Sequence, residues 1–194
     1  MAQAGRRPGQ TETREKILDA ARRRFAELGY DGATVRGIAA DAGVNAALLH
    51  HFFGTKQQLF TATMNLPVDP AVLVGVILDG PEELLGERLV RAFLGIWGEA
   101  ASREPFLAMI RSATTNEQVA TMMRQFIDKA VFQQVAAARG VPKVRVAGVG
   151  AQLIGFALLR YVIRLPPLVE ASDEELVAML APVAQYYLAP GSFT

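Results

Sequence analysis

Hydrophobic positions along this chain recur mostly at three- and four-residue spacing, the signature of helices with one buried face. Leu18, Ala21, Phe25 and Leu28 share one side of a helix over residues 14–29, with Gly29 closing it. Thr34 caps a short helix whose inner side carries Val35, Ile38 and Ala42, and Ala39 is small where a second helix crosses. Gly43 supplies the left-handed turn, Val44 plugs the corner and Asn45 caps the next helix. Leu48 or Leu49 then faces inward, leaving Asn45, Ala46, Ala47, His50 and His51 outward. Thr55-Lys56-Gln57-Gln58 is a capping box opening a helix with Leu59, Phe60 and Met64. Two short helices joined by a tight Gly-Val turn form a helix–turn–helix, whose second helix enters a DNA major groove.

The remainder is also helical. Pro67 and Pro70 mark a boundary. Asp69-Pro70 can start a helix over 71–78, although this short apolar run also fits a strand. Gly80-Pro81-Glu82-Glu83 opens a helix to about residue 101, with Leu85, Leu89, Phe93, Ile96 and Trp97 on its apolar face. Pro105 begins a short helix carrying Phe106, Met109 and Ile110, and a long helix over 116–139 ends at Gly140. Between Arg145 and Arg160 the only strongly polar residue is Gln152. That stretch falls short of the roughly 20 apolar residues of a membrane span, so 143–165 is expected to be a fully buried helix of a soluble protein. Ala147, Ala151 and Gly155 form a stripe of small residues on it. Ser172-Asp173-Glu174-Glu175 caps a last helix to about residue 188, kinked at Pro182. The fold class is therefore all-α: an N-terminal three-helix helix–turn–helix domain over 11–64 and a C-terminal helical domain over 65–194, preceded by a flexible basic arm, 1–10.

Several spaced elements in residues 11–64 together resemble the DNA-binding domain of TetR/AcrR-type transcriptional regulators. They are Arg14-Glu15-Lys16-Ile17-Leu18-Asp19-Ala20-Ala21, Phe25-Ala26-Glu27-Leu28-Gly29-Tyr30, Thr34-Val35-Arg36-Gly37-Ile38-Ala39, Ala42-Gly43-Val44 and His51-Phe52-Phe53-Gly54-Thr55-Lys56-Gln57-Gln58-Leu59. The resemblance implies DNA contacts from Thr34, Arg36, Asn45 and Lys56, with Ala46, Ala47, His50 and His51 on the reading face. The family usually carries Tyr, a phosphate ligand, where this chain has His50. A helix N-terminus with Lys56 in its first turn also suits a phosphate on physical grounds.

The resemblance further implies a homodimer built by helices 143–165 and 172–188. A helix apolar nearly all round must be covered on several sides, and two half-sites add their affinities, so both considerations agree. Interface candidates are Ala147, Ala151, Gly155, Leu158, Leu176, Met179 and Val183. A C-terminal pocket for a small-molecule effector is implied as well, with Phe93, Trp97, Met109, Met122, Phe126, Gln152 and Phe156 as candidate lining. With no charged cluster in the buried faces, its expected ligand is apolar or aromatic. Arg111, Asn116 and Arg160 are polar residues that could turn inward.

The net charge of +1 hides an asymmetry. Residues 1–56 hold nine Lys/Arg against six Asp/Glu, whereas 57–194 hold eleven against thirteen. The basic excess lies on the segment where counterion release would drive DNA binding. There is no cysteine, which removes disulfides and thiolate chemistry. Met1–Gln10 lacks the apolar core of a signal peptide. The two histidines, His50 and His51, are adjacent and diverge on a helix, so they make no metal pair. No phosphate loop, nucleophile elbow or carboxylate pair suggests catalysis. The expectation is a cytoplasmic, non-enzymatic, cofactor-free and metal-free regulator that binds double-stranded DNA as a homodimer, without membrane association, and is released by an effector. A helical dimer that binds a ligand or protein partner, with weak or lost DNA binding, is the alternative.

Overall fold

The structure is a computed structural model describing residues 8–66 and 69–190, with side chains from residue 11 onward. Pro67 and most of the expected arm, residues 1–7, lie outside the described residues, while Pro8–Gln10 are already helical. The described residues are mostly helical, with no strand among them. The helices form two compact units.

The first unit holds α1 (Pro8–Gly32), α2 (Val35–Asp41), α3 (Ala46–Phe53), α4 (Lys56–Thr63) and the segment Pro105–Phe126. That segment contributes most of α7 (Ala100–Thr115) and of α8 (Glu117–Ile127), so this unit extends beyond 11–64. Leu18, Ala21 and Phe25 are buried on α1 as their spacing predicts, but Leu28 is 47% exposed. The cause is Gly29, whose φ of 71° and ψ of 176° break the helical path and bring Tyr30 inward instead. Phe25, Tyr30, Phe60 and Phe126 then pack as one aromatic cluster, with ring centroids 4.4–6.0 Å apart. Such pairs add to the burial of apolar area.

The second unit holds α5 (Pro70–Leu78), α6 (Leu85–Gly98), α9 (Gln133–Arg139), α10 (Lys143–Ala157), α11 (Pro166–Glu170) and α12 (Asp173–Leu188). The 71–78 run is helical: the Asp69 carboxylate accepts the Ala71 N–H at 2.9 Å, and Pro70 occupies the first turn. Pro105 does not begin a helix but lies inside α7, because α6 ends at Gly98 and the next helix starts at Ala100. The long 116–139 segment is α8 and α9 joined by a π-helical turn, Asp128–Phe132, and ends at Gly140 in the left-handed conformation.

α12 crosses α6 at Gly86. A Cβ there would lie 2.7 Å from the Gln185 backbone nitrogen and closer still to the Ala181 carbonyl. Gln185 locks the crossing by accepting from the Gly86 N–H at 2.8 Å and donating to the Glu82 carbonyl at 2.9 Å.

α10 departs most from expectation. With the π-helical turn Leu158–Ile163 that prolongs it, it forms a 21-residue helix containing an 18-residue stretch of mean hydropathy 1.7, of which only 28% is buried. By length and composition alone it could span a membrane. Val146, Val149, Leu153 and Phe156 are buried, while Ile154, Leu159, Val162 and Ile163 are exposed. One face thus belongs to the unit's core and the other is uncovered.

Candidate nucleic-acid interface

The helix–turn–helix is built by local hydrogen bonds that the sequence encodes residue by residue. Thr34 Oγ1 accepts the Gly37 N–H at 3.1 Å and opens α2. Gly43, with φ 68°, turns the chain, and Val44 N–H donates back to the Ala39 carbonyl at 2.9 Å. Asn45 Oδ1 accepts the Leu48 N–H at 2.7 Å and opens α3. α4 begins with the full Thr55–Gln58 capping box. Three caps and one glycine therefore set the directions of all three short helices.

α3 is held by two side chains one turn apart, Leu49 and Phe53, both buried. This settles the choice between Leu48 and Leu49, since Leu48 is only half-buried. The opposite side presents Asn45, Ala47, His50 and His51 to solvent, with Ala46 half-buried beside them. Thr34 and Arg36 are exposed at the start of α2. The eight expected DNA-facing residues therefore lie on one helix–turn–helix and the start of the helix after it.

Their hydrogen-bonding capacity is narrower than their names suggest. Asn45 uses its oxygen as a cap, so it offers a duplex its NH2. Lys56 is half-buried; its ammonium donates to the Asp31 carbonyl at 3.3 Å and lies 4.7 Å from the Tyr30 ring centroid. It contributes charge more than an extended hydrogen-bonding arm. His50 Nδ1 lies 2.6 Å from the Gly54 carbonyl oxygen, a partner the sequence reading missed although it is only four residues away. Arg14 of α1 lies over the Phe53 ring at 5.1 Å, adding a cation beside α3. Arg24 binds Asp41 through Nε at 2.5 Å and Nη2 at 2.9 Å, tying α1 to the end of α2 and holding the Asp41 carboxyl below the usual range. Among the described residues no cluster of three or more His, Asp or Glu is placed to hold a metal ion.

The pattern is also found in known proteins. Residues 17–63 match the family described as bacterial regulatory proteins, tetR family. Residues 83–188 match the tetracyclin repressor-like C-terminal domain. The chain belongs to the TetR family.

Members of this family are DNA-binding transcription factors rather than enzymes. This TetR-family chain is 30% identical over 173 residues to the HTH-type transcriptional regulator BetI of Agrobacterium fabrum, covering 84% of each protein. It is 48% identical over 59 residues to the HTH-type transcriptional repressor AcnR of Corynebacterium glutamicum. That match covers 30% of each chain, so the chain spans less than a third of this relative's length. The crystal structure of a TetR-family regulator from Streptomyces coelicolor A3 is 35% identical, covering 95% of this chain and 99% of that one, with a TM-score of 0.47.

The other expected site residues fall in both units. Phe93, Trp97 and Phe156 are buried together in the second, with Phe93 centroids 5.9 Å from Trp97 and 6.4 Å from Phe156. Tyr161, which the sequence reading did not single out, stacks on Trp97 at 6.3 Å under the Arg103 guanidinium. Met109, Met122 and Phe126 belong to the first unit, where Phe126 packs against Tyr30 and Phe60. Gln152 does not face an interior: it is exposed and donates to the Tyr187 hydroxyl at 3.2 Å. Arg111 and Asn116 are exposed, and Arg160 donates to the Leu168 and Ala171 carbonyls at the end of α11.

Of the expected interface residues, Ala151, Met179 and Val183 are exposed, while Ala147, Gly155 and Leu158 are half-buried. A Cβ at Gly155 would meet nothing within 4 Å. Leu176 is a correction. It is 1% exposed, on the inner side of α12, and so is already covered within its own protomer.

Proposed function

We propose that this chain is a cytoplasmic repressor that binds a palindromic operator as a homodimer and is released by a small apolar or aromatic effector. The observation that carries the DNA reading is α3 itself. It is anchored by Leu49 and Phe53, and its outward face consists of Asn45, Ala47, His50 and His51, with Ala46 at its edge. Small residues let such a helix sit deep in a major groove, and Ala46 and Ala47 offer methyl contacts to thymine. Arg36 and the Asn45 NH2 supply polar contacts, and Thr34, His50 and Lys56 act toward the backbone.

The uncovered apolar side of α10 and α12 supports the homodimer. Ile154, Leu159, Val162, Ile163, Met179 and Val183 are each at least 38% exposed, and a second copy covers such a surface symmetrically. Gln152, Arg145 and Arg160 on this helix make hydrogen bonds within the second unit, which suits a protein partner and not lipid. Two copies bring two recognition helices to successive major grooves, about 34–36 Å apart. The effector site is assigned to the aromatic group Phe93, Trp97 and Phe156. The effector shifts the dimer only by its differential affinity for the DNA-competent and incompetent states.

The test is fluorescence anisotropy with a duplex from the region upstream of the chain's own gene. Sequence-selective binding that weakens steeply with salt is expected. Binding no tighter than to a scrambled duplex at low salt would instead favour the helical dimer without DNA recognition.

A further inference from the structure

We propose that His50 makes a proton-dependent contact to a DNA phosphate, so that each protomer takes up a proton when it docks on the duplex. The inference rests on the DNA-binding reading above and adds a linkage that the reading does not require.

The chemistry follows from one hydrogen bond. The Gly54 carbonyl oxygen, 2.6 Å from His50 Nδ1, can only accept. Nδ1 must therefore carry the hydrogen. In the neutral ring that leaves Nε2 as a bare lone pair, on a side chain exposed at the outward face of α3. A lone pair facing a phosphate oxygen repels it. Once Nε2 is protonated, the ring becomes a cation with donors on both nitrogens: Nδ1 keeps Gly54 and Nε2 donates to the phosphate. A tyrosine at this position would donate its hydroxyl hydrogen at any pH in the physiological range. His50 donates outward only in the charged form.

The backbone holds this arrangement in place. His50 lies in the last turn of α3, its own carbonyl accepts the Gly54 N–H at 2.8 Å, and Gly54 has φ 69°, which turns its carbonyl back toward the ring. The ring is thus fixed at one nitrogen by the loop that also positions Thr55 and α4.

The elements around His50 carry their own charged groups. α2 carries Arg36 and Asp41, and Asp41 is already bound by Arg24 of α1. α4 opens with Lys56, whose ammonium lies on Tyr30 and the Asp31 carbonyl. Arg14 of α1 lies over Phe53, and His51 is the adjacent residue on α3. Among the described residues no carboxylate forms an ion pair with His50 in the free protein. A phosphate is the anion that favours the imidazolium, so binding and proton uptake are linked.

The experiment measures affinity of the full-length protein for the upstream duplex, by anisotropy at constant ionic strength, from pH 8.0 to pH 6.0. Isothermal titration in buffers of different ionisation heat counts the protons. Expected is about a tenfold tightening over this range. His50→Tyr is expected to bind with a nearly flat pH profile. Circular dichroism establishes that the variant folds. Wild-type and His50→Tyr profiles of equal slope, with DNA bound throughout, would overturn the proton linkage and leave the DNA-binding reading intact. Equal affinity for the upstream and scrambled duplexes at every pH would instead overturn the DNA-binding reading and the linkage with it.

Discussion

α3 and α10 both expose a full side of a helix, and they expose opposite things. α3 shows solvent small and polar residues, Ala47, His50 and His51, over an anchored base of Leu49 and Phe53. α10 and its continuation show Ile154, Leu159, Val162 and Ile163, over an anchored base of Val149, Leu153 and Phe156. A surface like the first gains little from burial against apolar material and suits a polar, charged groove. The second gains roughly 25 cal/mol for each Å2 of apolar area covered and suits another protein surface. One chain thus carries two exposed faces of different physics, each over a buried base.

The sharpest way to break the comparison is to attack the anchors. Leu49→Ala and Leu176→Ala each remove a side chain that is at most 1% exposed. Each is expected to destabilise its unit by about 2–5 kcal/mol. Chemical denaturation monitored by circular dichroism measures it. The two variants should also separate the faces: Leu49→Ala loses DNA affinity, whereas Leu176→Ala lowers stability without first splitting the dimer. Dissociation of folded Leu176→Ala protein would return that residue to the interface.

Next in size is an attack on the exposed apolar side. Val183→Glu with Ile163→Glu places two carboxylates where Val183 and Ile163 are 39% and 62% exposed. Protomer folding should change little, because neither side chain is in the core. Light scattering should report monomers at concentrations where the wild type is dimeric, and operator affinity should fall at least about tenfold as the half-sites cease to add. An unchanged molar mass would remove this face from the dimer.

Asn45→Ala is a smaller test, confined to α3. It removes the acceptor of the Leu48 N–H and is expected to cost about 1 kcal/mol of stability in thermal or denaturant unfolding. Because the Asn45 NH2 is also proposed to face DNA, Asn45→Ser separates the roles: the serine hydroxyl restores the cap and stability while affinity stays reduced. Equal affinity of Asn45→Ser and wild type would make the residue a cap alone.

The elements legible in the sequence are those set by short-range bonds. Thr34, Asn45, Thr55 and Ser172 each open a helix by accepting the backbone N–H three residues ahead, and Gly43 and Gly140 supply the left-handed turns their positions call for. What could not be read depends on partners far along the chain. Gln152 is drawn outward by Tyr187, 35 residues away. Leu176 turns inward because α12 meets α6 on that side. Periodicity alone leaves 71–78 between helix and strand, and the Asp69 cap accompanies the helix in the structure. Pro105 departs from expectation because proline more often opens a helix than sits within one. The His50–Gly54 contact lies between these cases: it is local, but it depends on a backbone turn at Gly54 that the residue type permits without requiring.

The smallest effect concerns the ion pair that ties α2 to α1. Arg24 donates twice to Asp41, and this hydrogen bonding, ahead of the charge attraction, lowers the Asp41 carboxyl from its ordinary value. The sign follows from linkage. A carboxyl whose folded pKa lies below the unfolded one, about 3.9 for aspartate, adds stability above the unfolded value. That contribution is lost as pH falls through the lower folded value. Asp41→Asn should therefore lower Tm by an amount that is constant above about pH 5 and closes as the wild type is acidified below about pH 4. Both side chains are about a third exposed, 30% and 36%, so salt screens the pair and the expected shift is no more than about 2 °C. The counterpart in the second unit is Arg91 with Glu174, bound at 2.7 and 2.9 Å, whose carboxyl is lowered by the same cause. Glu174→Gln should behave alike in stability and leave DNA affinity untouched. Asp41→Asn frees Arg24 and loosens α2, so a small loss of affinity should accompany its smaller Tm. Scanning calorimetry from pH 3 to pH 8, paired with anisotropy at pH 7, makes the comparison. Matching DNA affinities for the two variants would show that the Arg24–Asp41 tie stabilises its unit without positioning the recognition helix.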